Sequence, residues 1–435
     1  MKVGVLKEIV EDERRVGLVP ETVGRMVKDG YEVIVETGAG QGYNLDENYE
    51  EAGAQIVSEA GEVYGEADIV VKVAPPTEDE IGQMHEGQVL VCFLDGTAYP
   101  ELVKQLADAG VTVFSNEYVP RTGAAQSMDA LSSMGSIAGY KCAIIGADSL
   151  GKYVPTLSTA AGSTPAAKVI VLGAAVAGLQ AIATMHRLGA EVFAYDILAE
   201  TKEQVHSVGG TFIDSADLEE EEEDEEPPLE EQEYEPAAWR KVMEFFGFYS
   251  FVRPPSPEEA PEAYEEEEEE EEQQEGPFSD EKQEEDYKLV REHLRDTDIV
   301  ITTAMVPGAP PPTLVTQDMV EEMQPGSVIV DLAGGNCELT EVGETVEHDY
   351  VSIVGPVNLP SQMPIHASQL YSRNMKSFVD HIVEDVSEDS DEKDLQLDLD
   401  FEDEIIDSMC IAHDGEIRHD NIREALSGAA EESEA

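Results

Sequence analysis

The segment 169–196, VIVLGAAVAGLQAIATMHRLGAEVFAYD, has the residue pattern with the clearest chemistry in this chain. An apolar strand ends at Leu172, a turn of small residues follows, and a helix then leads into a second strand that ends at Asp196. In such a unit, free amides at the helix start bind a pyrophosphate, and an acid about twenty residues further on accepts hydrogen bonds from ribose hydroxyls. The segment therefore predicts a dinucleotide site, and a purely structural glycine turn is the alternative.

Within the turn, Gly173 and Gly178 stand at the first and third positions of the GxGxxG pattern, and the middle position is Ala175. We expect Gly173 to make the tight turn and Gly178 to let the helix pack on the strand. The Ala175 methyl would stand where the backbone and the pyrophosphate approach most closely. An acid at the strand end repels a ribose phosphate, which favours NAD over NADP. The residues predicted to contact the cofactor here are Gly173, Ala174, Ala175, Val176, Ala177, Gly178, Asp196 and Ile197.

Strand-like and helix-like segments alternate on both sides of this unit, which predicts an α/β fold with right-handed crossovers and parallel sheets. The predicted strands cover residues 2–8, 32–36, 67–73, 88–94, 111–117, 190–196, 296–304 and 326–333. The predicted helices cover residues 20–29, 47–54, 100–109 and 127–146, and the chain becomes helical again from His366.

The fold class that this pattern predicts is α/β, with two Rossmann-like doubly wound parallel-sheet domains joined by long helices, and with a disordered acidic insert. The N-terminal Rossmann-like domain is expected at residues 1–133, completed by 365–435. The NAD(H)-binding Rossmann domain is expected at 134–364. The acidic low-complexity insert is expected at 217–286, within that second domain.

The net charge of the chain is −69, from 26 Lys and Arg against 95 Asp and Glu, which makes nucleic acid a poor candidate partner. Residues 217–286 hold 31 acids and 4 bases, so a net charge of −42 is spread over the rest. Runs of like charge stay solvated, which predicts disorder in that insert. The acidic coat elsewhere is typical of adaptation to high salt, and an acidic interaction protein is the alternative. Within the insert, 237–252 predicts a small helix docked on its own domain, or else a partner-docking or membrane-surface helix.

Nothing in the sequence predicts export, a disulfide framework, a metal site or a membrane span. The four cysteines lie far apart without a CxxC pair, so we expect them to be small core residues in a reducing compartment. The N-terminus is charged within eight residues and lacks an apolar stretch of signal-peptide length. The apolar run 166–185 contains Lys168 and a strand-then-helix pattern, which favours a buried α/β unit over a transmembrane helix.

Several long segments of the chain resemble the superfamily of alanine dehydrogenase and proton-translocating nicotinamide nucleotide transhydrogenase. The shared segments are VGVLKEIVEDERRVGLVPETV (3–23), ETGAGQGYNLDENYEEAGAQIV (36–57), VVKVAPP (70–76), VIVLGAAVAGLQAI (169–182) and AMVPGAPPPTLVTQDMVEEMQPGSVIVDLA (304–333). Two further segments, VPRTGAAQSMDALSSMGSIAGYKCAI (119–144) and GGNCELT (334–340), resemble the NAD-binding subunit of the transhydrogenase branch. The resemblance covers roughly residues 1–216 and 287–380 and does not include the insert.

The resemblance implies a functional trio in the loop that contains Arg121, Gln126 and Asp129. The family's counterpart of Gln126 hydrogen-bonds toward the nicotinamide ribose and the incoming second nucleotide, and those of Arg121 and Asp129 hold the loop and the nicotinamide. Taken alone, these residues near a helix start would more often be an N-cap and a surface pair. Ser132 and Tyr140 fall on the same segment, and we expect them near the cofactor.

The residues also distinguish two chemistries. Oxidising an amino acid requires a base and a cation that clamps the carboxylate, whereas hydride transfer between nucleotides requires only that two nicotinamide rings be held together. Arg15 and Lys72 match clamping positions of alanine dehydrogenase, but Asp95 stands where that enzyme has its substrate histidine. We interpret Arg15 and Lys72 as structural ion-pair residues.

The predicted function is that of the NAD(H)-binding subunit of a proton-translocating NAD(P) transhydrogenase, an enzyme active only with its partner subunits. NADH bound on this chain would pass hydride to NADP+ at the NADP(H) site of a partner subunit. The expected partners are a membrane-spanning subunit, an NADP-binding subunit and a second copy in a homodimer, with the chain peripheral on the cytoplasmic face of the plasma membrane. The alternatives are an alanine dehydrogenase-like amino-acid oxidoreductase and a non-catalytic NAD-binding regulator.

Overall fold

The computed structural model describes residues 1–213, 280–305, 310–387 and 393–434. The aromatic segment 237–252 and nearly all of the predicted insert lie outside these residues. The last residues of that predicted insert, 280–286, instead begin the helix Asp280–Leu294.

The strands, numbered along the chain, are short. They are β1 (Lys2–Val5), β2 (Glu32–Glu36), β3 (Gln55–Val57), β4 (Ile69–Val71), β5 (Val89–Cys92), β6 (Thr112–Ser115), β7 (Leu157–Thr159), β8 (Gly162–Thr164), β9 (Lys168–Leu172), β10 (Glu191–Tyr195), β11 (Thr211–Phe212), β12 (Ile299–Thr302), β13 (Val328–Asp331), β14 (Thr345–His348), β15 (Val351–Val354), β16 (Val383–Asp385), β17 (Leu395–Leu397), β18 (Cys410–His413) and β19 (Glu416–Ile417).

The helices alternate with these strands over most of the chain. They are α1 (Pro20–Lys28), α2 (Asp46–Ala52), α3 (Ala60–Glu66), α4 (Glu78–Ile81), α5 (Pro100–Asp108), α6 (Ala130–Ser149), α7 (Val176–Leu188), α8 (Lys202–Ser207), α9 (Asp280–Leu294), α10 (Gln317–Glu321), α11 (Pro364–His381), α12 (Glu404–Met409) and α13 (Asp420–Glu434). Prolines at the start of α1, α5 and α11 fix the first helical turn without losing a hydrogen bond.

The chain divides into two compact units. The first unit comprises Met1–Met134 and the described residues from Pro360 onward, and the second comprises the described residues from Gly135 to Leu359. Helix α6 contains the boundary between them along the chain.

The sheet of the first unit has the strand order β19-β18-β6-β5-β4-β1-β2-β3. Its first six strands in sequence pair in parallel, whereas β18 pairs antiparallel with β6 and with β19. The fully buried runs of β5 and β6 fit a sheet that is covered on both faces.

The sheet of the second unit has the order β11-β10-β9-β12-β13-β15-β14, parallel apart from β14. Alternate residues of β9 enter separate cores: Val169 and Val171 lie in one apolar cluster, and Ile170 and Leu172 in another. The strand order reverses between β9 and β12, and this reversal is the place where doubly wound sheets bind ligands.

The predicted α/β class with two parallel-sheet units is confirmed, and the sheets are mixed at their edges. The expectation that the chain after His366 is helical is wrong for β16–β19. These strands are two to four residues long, too short for a period-two pattern to stand out.

The apolar run 166–185 forms β9 and most of α7, as interpreted from its pattern. Among the helices in the described ranges, none combines the length and apolar character needed to cross a bilayer. All four cysteines are buried and free, which confirms their expected role as small core residues.

Candidate functional site

Both glycines of the turn after β9 are required by close contacts. Gly173 has a φ of +99°, and a Cβ there would lie 2.8 Å from Thr303 Oγ1. A Cβ on Gly178 would lie 1.9 Å from the Gly173 carbonyl oxygen, so any larger residue would push α7 away from the turn. The turn lies at the carboxyl end of β9, beside the strand-order reversal.

Helix α7 begins without a side-chain cap. Its N-cap residue, Ala175, has extended backbone and an exposed side chain, and it supplies no capping hydrogen bond. The Ala175 carbonyl accepts from Leu179 N at 2.8 Å, so the amides of Val176, Ala177 and Gly178 precede the first intrahelical bond. Three donors at the positive end of a helix suit a bound phosphate group.

Asp196 is tied to the turn that it follows in space. Its Oδ2 accepts from Ala174 N at 2.6 Å, and its Oδ1 accepts from Leu198 N at 2.9 Å. Ala174 N is therefore already bonded and is not an open donor, although the sequence predicts contact with the cofactor there. Burial raises the pKa of the Asp196 carboxyl, and the two amide bonds act in the opposite direction. Ile197 packs at the edge of the adjacent apolar cluster.

A polar frame behind the turn was not predicted from the sequence. Thr303 donates to the Gly173 carbonyl at 3.1 Å. Next to it, Asn336 accepts from Ala304 N at 3.0 Å and donates to the carbonyls of Ala304 and Pro312 at 2.9 and 2.7 Å. Asn336 is fully buried, so this side chain fixes the loop that leaves β12.

Asp331, at the end of β13, organises the GGNCELT segment. It is fully buried and accepts hydroxyl bonds from Thr302 at 2.7 Å and Thr340 at 2.8 Å. Its carboxylate also accepts the amides of Gly334 and Cys337, both at 3.1 Å. The strand-end position of an acid in VIVDLAGGN was the available sequence signal for this residue.

A second close approach lies inside α6. A Cβ on Gly139 would stand 1.9 Å from the Ala177 carbonyl oxygen. Only glycine therefore allows α6 to touch the first turn of α7 at this point. Tyr140, the next residue, is 39% exposed, in the second unit.

The predicted trio lies in the first unit, on the loop before α6. Arg121 and Gln126 are both exposed, and Gln126 opens a short 3-10 turn that ends at Met128. Asp129 accepts from Ser132 N at 2.8 Å and from Ser132 Oγ at 2.5 Å. These bonds make Asp129 the cap of α6, so the structure brings Asp129 and Ser132 together and leaves the Arg121 and Gln126 side chains open.

Arg15 and Lys72 both lie in buried ion pairs, as interpreted from the sequence. Lys72 Nζ lies 2.5 Å from Glu80 and 3.7 Å from Glu8, and Lys72 is fully buried. Arg15 contacts Glu13 through two nitrogens, at 2.8 and 2.6 Å. Burial raises the pKa of the Glu8 carboxyl to about 6, because the charged form loses its water.

Asp95 also has its hydrogen bonds within its own turn. Its Oδ1 accepts from Thr97 N at 3.0 Å, from Thr97 Oγ1 at 2.7 Å and from Ala98 N at 3.2 Å. This is an Asx-type turn between β5 and α5, and it gives the residue a structural role.

One surface group in the second unit has metal-ligand chemistry. Donor atoms of Glu321, His348 and Asp349 lie within 4.8 Å of one another. Glu321 already accepts from Gln317 at 2.8 Å, and His348 lies 3.3 Å from it. These bonds account for the arrangement without an ion.

Two units with parallel sheets, one carrying a glycine turn before an uncapped helix, define the class of two-domain Rossmann-like proteins. Comparison with known proteins narrows this class. The chain belongs to the alanine dehydrogenase/PNT family: the family's N-terminal domain matches residues 4–138 and its C-terminal domain matches residues 142–420.

The relatives of this chain include transhydrogenase subunits of similar length. It is 40% identical over 428 residues to a chain of the NAD(P) transhydrogenase subunit alpha of Rhodospirillum rubrum, covering 96% of this chain and 98% of that one. The crystal structure of transhydrogenase from Sinorhizobium meliloti matches with a TM-score of 0.73 at 33% identity, over 97% of this chain and 99% of the other. Alanine dehydrogenase of Bacillus subtilis is 30% identical, over 80% of this chain and 74% of that enzyme.

Proposed function

We propose that this chain is the NAD(H)-binding subunit of a proton-translocating NAD(P) transhydrogenase. In this proposal, NADH bound here passes hydride to NADP+ held on a partner subunit. The observation that carries the proposal is the turn from Gly173 to Gly178, with its uncapped helix start and an acid at the next strand end.

The residues of the turn fit the phosphates of a dinucleotide. The amides of Val176, Ala177 and Gly178 are free of helical acceptors, and the exposed Ala175 leaves their approach uncapped. Asp196 keeps acceptor capacity for a ribose hydroxyl beside its two amide bonds. Its negative charge supports NAD(H) over NADP(H), because a ribose phosphate would be repelled.

Bound NADH would supply the hydride. The proposed roles of the protein are to bind, to orient and to exclude water. Gln126 is the exposed polar residue proposed to face the two nucleotides, and Arg121 is proposed to hold the nicotinamide end. Asp129 caps α6 and keeps this loop in place. Ser132 acts through Asp129, and Tyr140 is proposed to lie near the cofactor.

Amino-acid oxidation is supported less well than transfer between nucleotides. A carboxylate at Asp95 would repel the carboxylate of an amino acid, and Lys72 is already held by two acids. The relatives support the same branch, since identity is 40% to a transhydrogenase subunit and 30% to an alanine dehydrogenase.

The proposal includes partners. With one glycine turn of this kind among the described residues, NADP+ is assigned to a separate subunit, and proton translocation to a membrane-spanning subunit. We further propose that the chain pairs as a homodimer and sits peripherally on the cytoplasmic face of the membrane.

The test on the isolated chain has two arms. Fluorescence titration should give NADH binding that is at least about tenfold tighter than NADPH binding, a difference of about 1.4 kcal/mol. Incubation with alanine and NAD+ should give no NADH. Robust alanine-dependent reduction would instead make the chain an amino-acid oxidoreductase, and equal binding of both nucleotides would remove the role of Asp196.

A further inference from the structure

Helix α11 of the first unit uses polar side chains to hold loop backbone. Ser368 accepts from Val16 N at 3.1 Å, and Ser372 accepts from Val19 N at 3.0 Å. Asn374, two residues further on, donates through Nδ2 to the Ser127 carbonyl at 2.9 Å. Of these three contacts, the bond from Asn374 reaches the loop that carries the predicted trio.

Ser127 lies at the centre of the 3-10 turn Gln126–Met128. Ala125 is fully buried and Met128 is 7% exposed, so the turn has an apolar anchor on each side. Gln126 lies between these anchors and is exposed. The bond from Asn374 adds a directional constraint, which apolar packing alone does not give.

Asn374 holds this bond at a cost. The residue is 7% exposed, and its buried Oδ1 has no hydrogen-bond partner within the described ranges. An unpaired buried acceptor is unfavourable, and leucine is a better helix former that needs no partner. Because Nδ2 must face the Ser127 carbonyl, the amide cannot rotate to pair Oδ1 without losing that bond.

We propose that Asn374 is a positioning residue that sets the orientation of Gln126 through the Ser127 carbonyl. This inference rests on the proposed function, in which Gln126 faces the two nucleotides. Asn374 itself touches neither nucleotide in this account. Its effect is therefore expected on hydride transfer and not on NADH affinity.

The first test uses the full chain with its NADP-binding and membrane subunits. Asn374→Leu should lower the rate of hydride transfer about tenfold, while NADH affinity changes less than about twofold. Ser372→Ala is the matched control, because it removes a hydrogen bond from the same helix to a different loop. It should keep transfer within about twofold of the unaltered chain.

A double-mutant cycle separates positioning from general destabilisation. In a Gln126→Asn background, Asn374→Leu should cost less than about a further twofold, because the residue that it positions has already been altered. Fully multiplicative losses, or an equal loss in Ser372→Ala, would overturn the proposal.

The second test is independent of catalysis. Trypsin cleavage after the exposed Arg121, followed by mass spectrometry, reports how firmly the loop is held. Asn374→Leu should speed this cleavage about tenfold and Ser372→Ala should not. If the leucine variant fails to fold, Asn374→Asp keeps the size and removes the donor, and the same results are expected. Absence of transfer in the unaltered complex would defeat the proposed function, whereas unchanged cleavage would defeat the positioning role.

Discussion

Gly178 is the residue at which the chain tolerates the least change, because its Cβ position is 1.9 Å from a carbonyl oxygen. Gly178→Ala should therefore move α7 from the turn and lower NADH affinity by at least about tenfold, or about 1.4 kcal/mol. Gly65→Ala is the matched control, since it makes the same change at a helical glycine with nothing within 4 Å. Fluorescence titration of both variants checks this, and unchanged affinity in Gly178→Ala would contradict it.

Asp196 should give NAD+ binding a pH dependence. Burial raises the pKa of its carboxyl above the ordinary value, so on acidification it takes up a proton earlier than an exposed aspartate. A protonated acid accepts a ribose hydroxyl less well, and NAD+ affinity should fall as the pH falls toward that pKa. Titrations between pH 7 and pH 4 should show this fall, and Asp196→Asn should remove it. A fall of the same size in the variant would assign it to another group.

The sequence could predict the glycine turn and Asp196, because local conformation demands those residue types. It could not predict Thr303 or Asn336, which act across the chain on a loop whose path depends on tertiary packing. Asp129 shows the limit between the two. The pattern indicated both a cap and a functional role, and the structure shows the cap.

At the scale of elements, a buried ion network joins the β1 end, β4 and α4. The Thr77–Glu80 capping box starts α4 and directs Glu80 toward Lys72, while Glu8 reaches the same lysine and accepts from Val73 N at 2.5 Å. Two acids thus share one buried cation. This arrangement fixes the elements that carry the Arg15 loop.

The network predicts a stability change with pH. The pKa of Glu8 is raised from 4.5 to about 6, so its contribution is fully present below pH 4.5 and is lost as the pH rises through 6. Glu8→Gln should remove about 2 kcal/mol of this pH dependence, corresponding to the shift. Urea unfolding of both proteins between pH 4 and 7 measures it. A difference between them that stays constant with pH would contradict this assignment.

The strands of both parallel sheets could be predicted, because runs such as VIVL and IVIT are buried on both faces. Their predicted ends were too long, since the strand-end residues are also apolar. The antiparallel additions could not be predicted. β18, for example, pairs with β6, nearly 300 positions away in sequence, and has four residues.

At the scale of the molecule, the net charge of −69 predicts that salt stabilises the fold. At molar salt the screening length is about 3 Å, so repulsion within the acidic coat is removed. The melting temperature should rise by several degrees between 0.1 and 2 M KCl, and sucrose of equal osmolarity should reproduce little of the rise. A melting temperature independent of KCl would contradict adaptation to high salt.

The central claim is that hydride passes from NADH on this chain to a nucleotide on another chain. The most direct measurement mixes the chain with its NADP-binding and membrane subunits and follows transfer from NADH labelled with deuterium at C4. The label should appear in NADPH, Gln126→Asn should abolish most of the transfer while NADH still binds, and omission of the partner subunits should stop it. Failure of the label to reach NADPH in the complete complex, with NADH bound, would contradict the account.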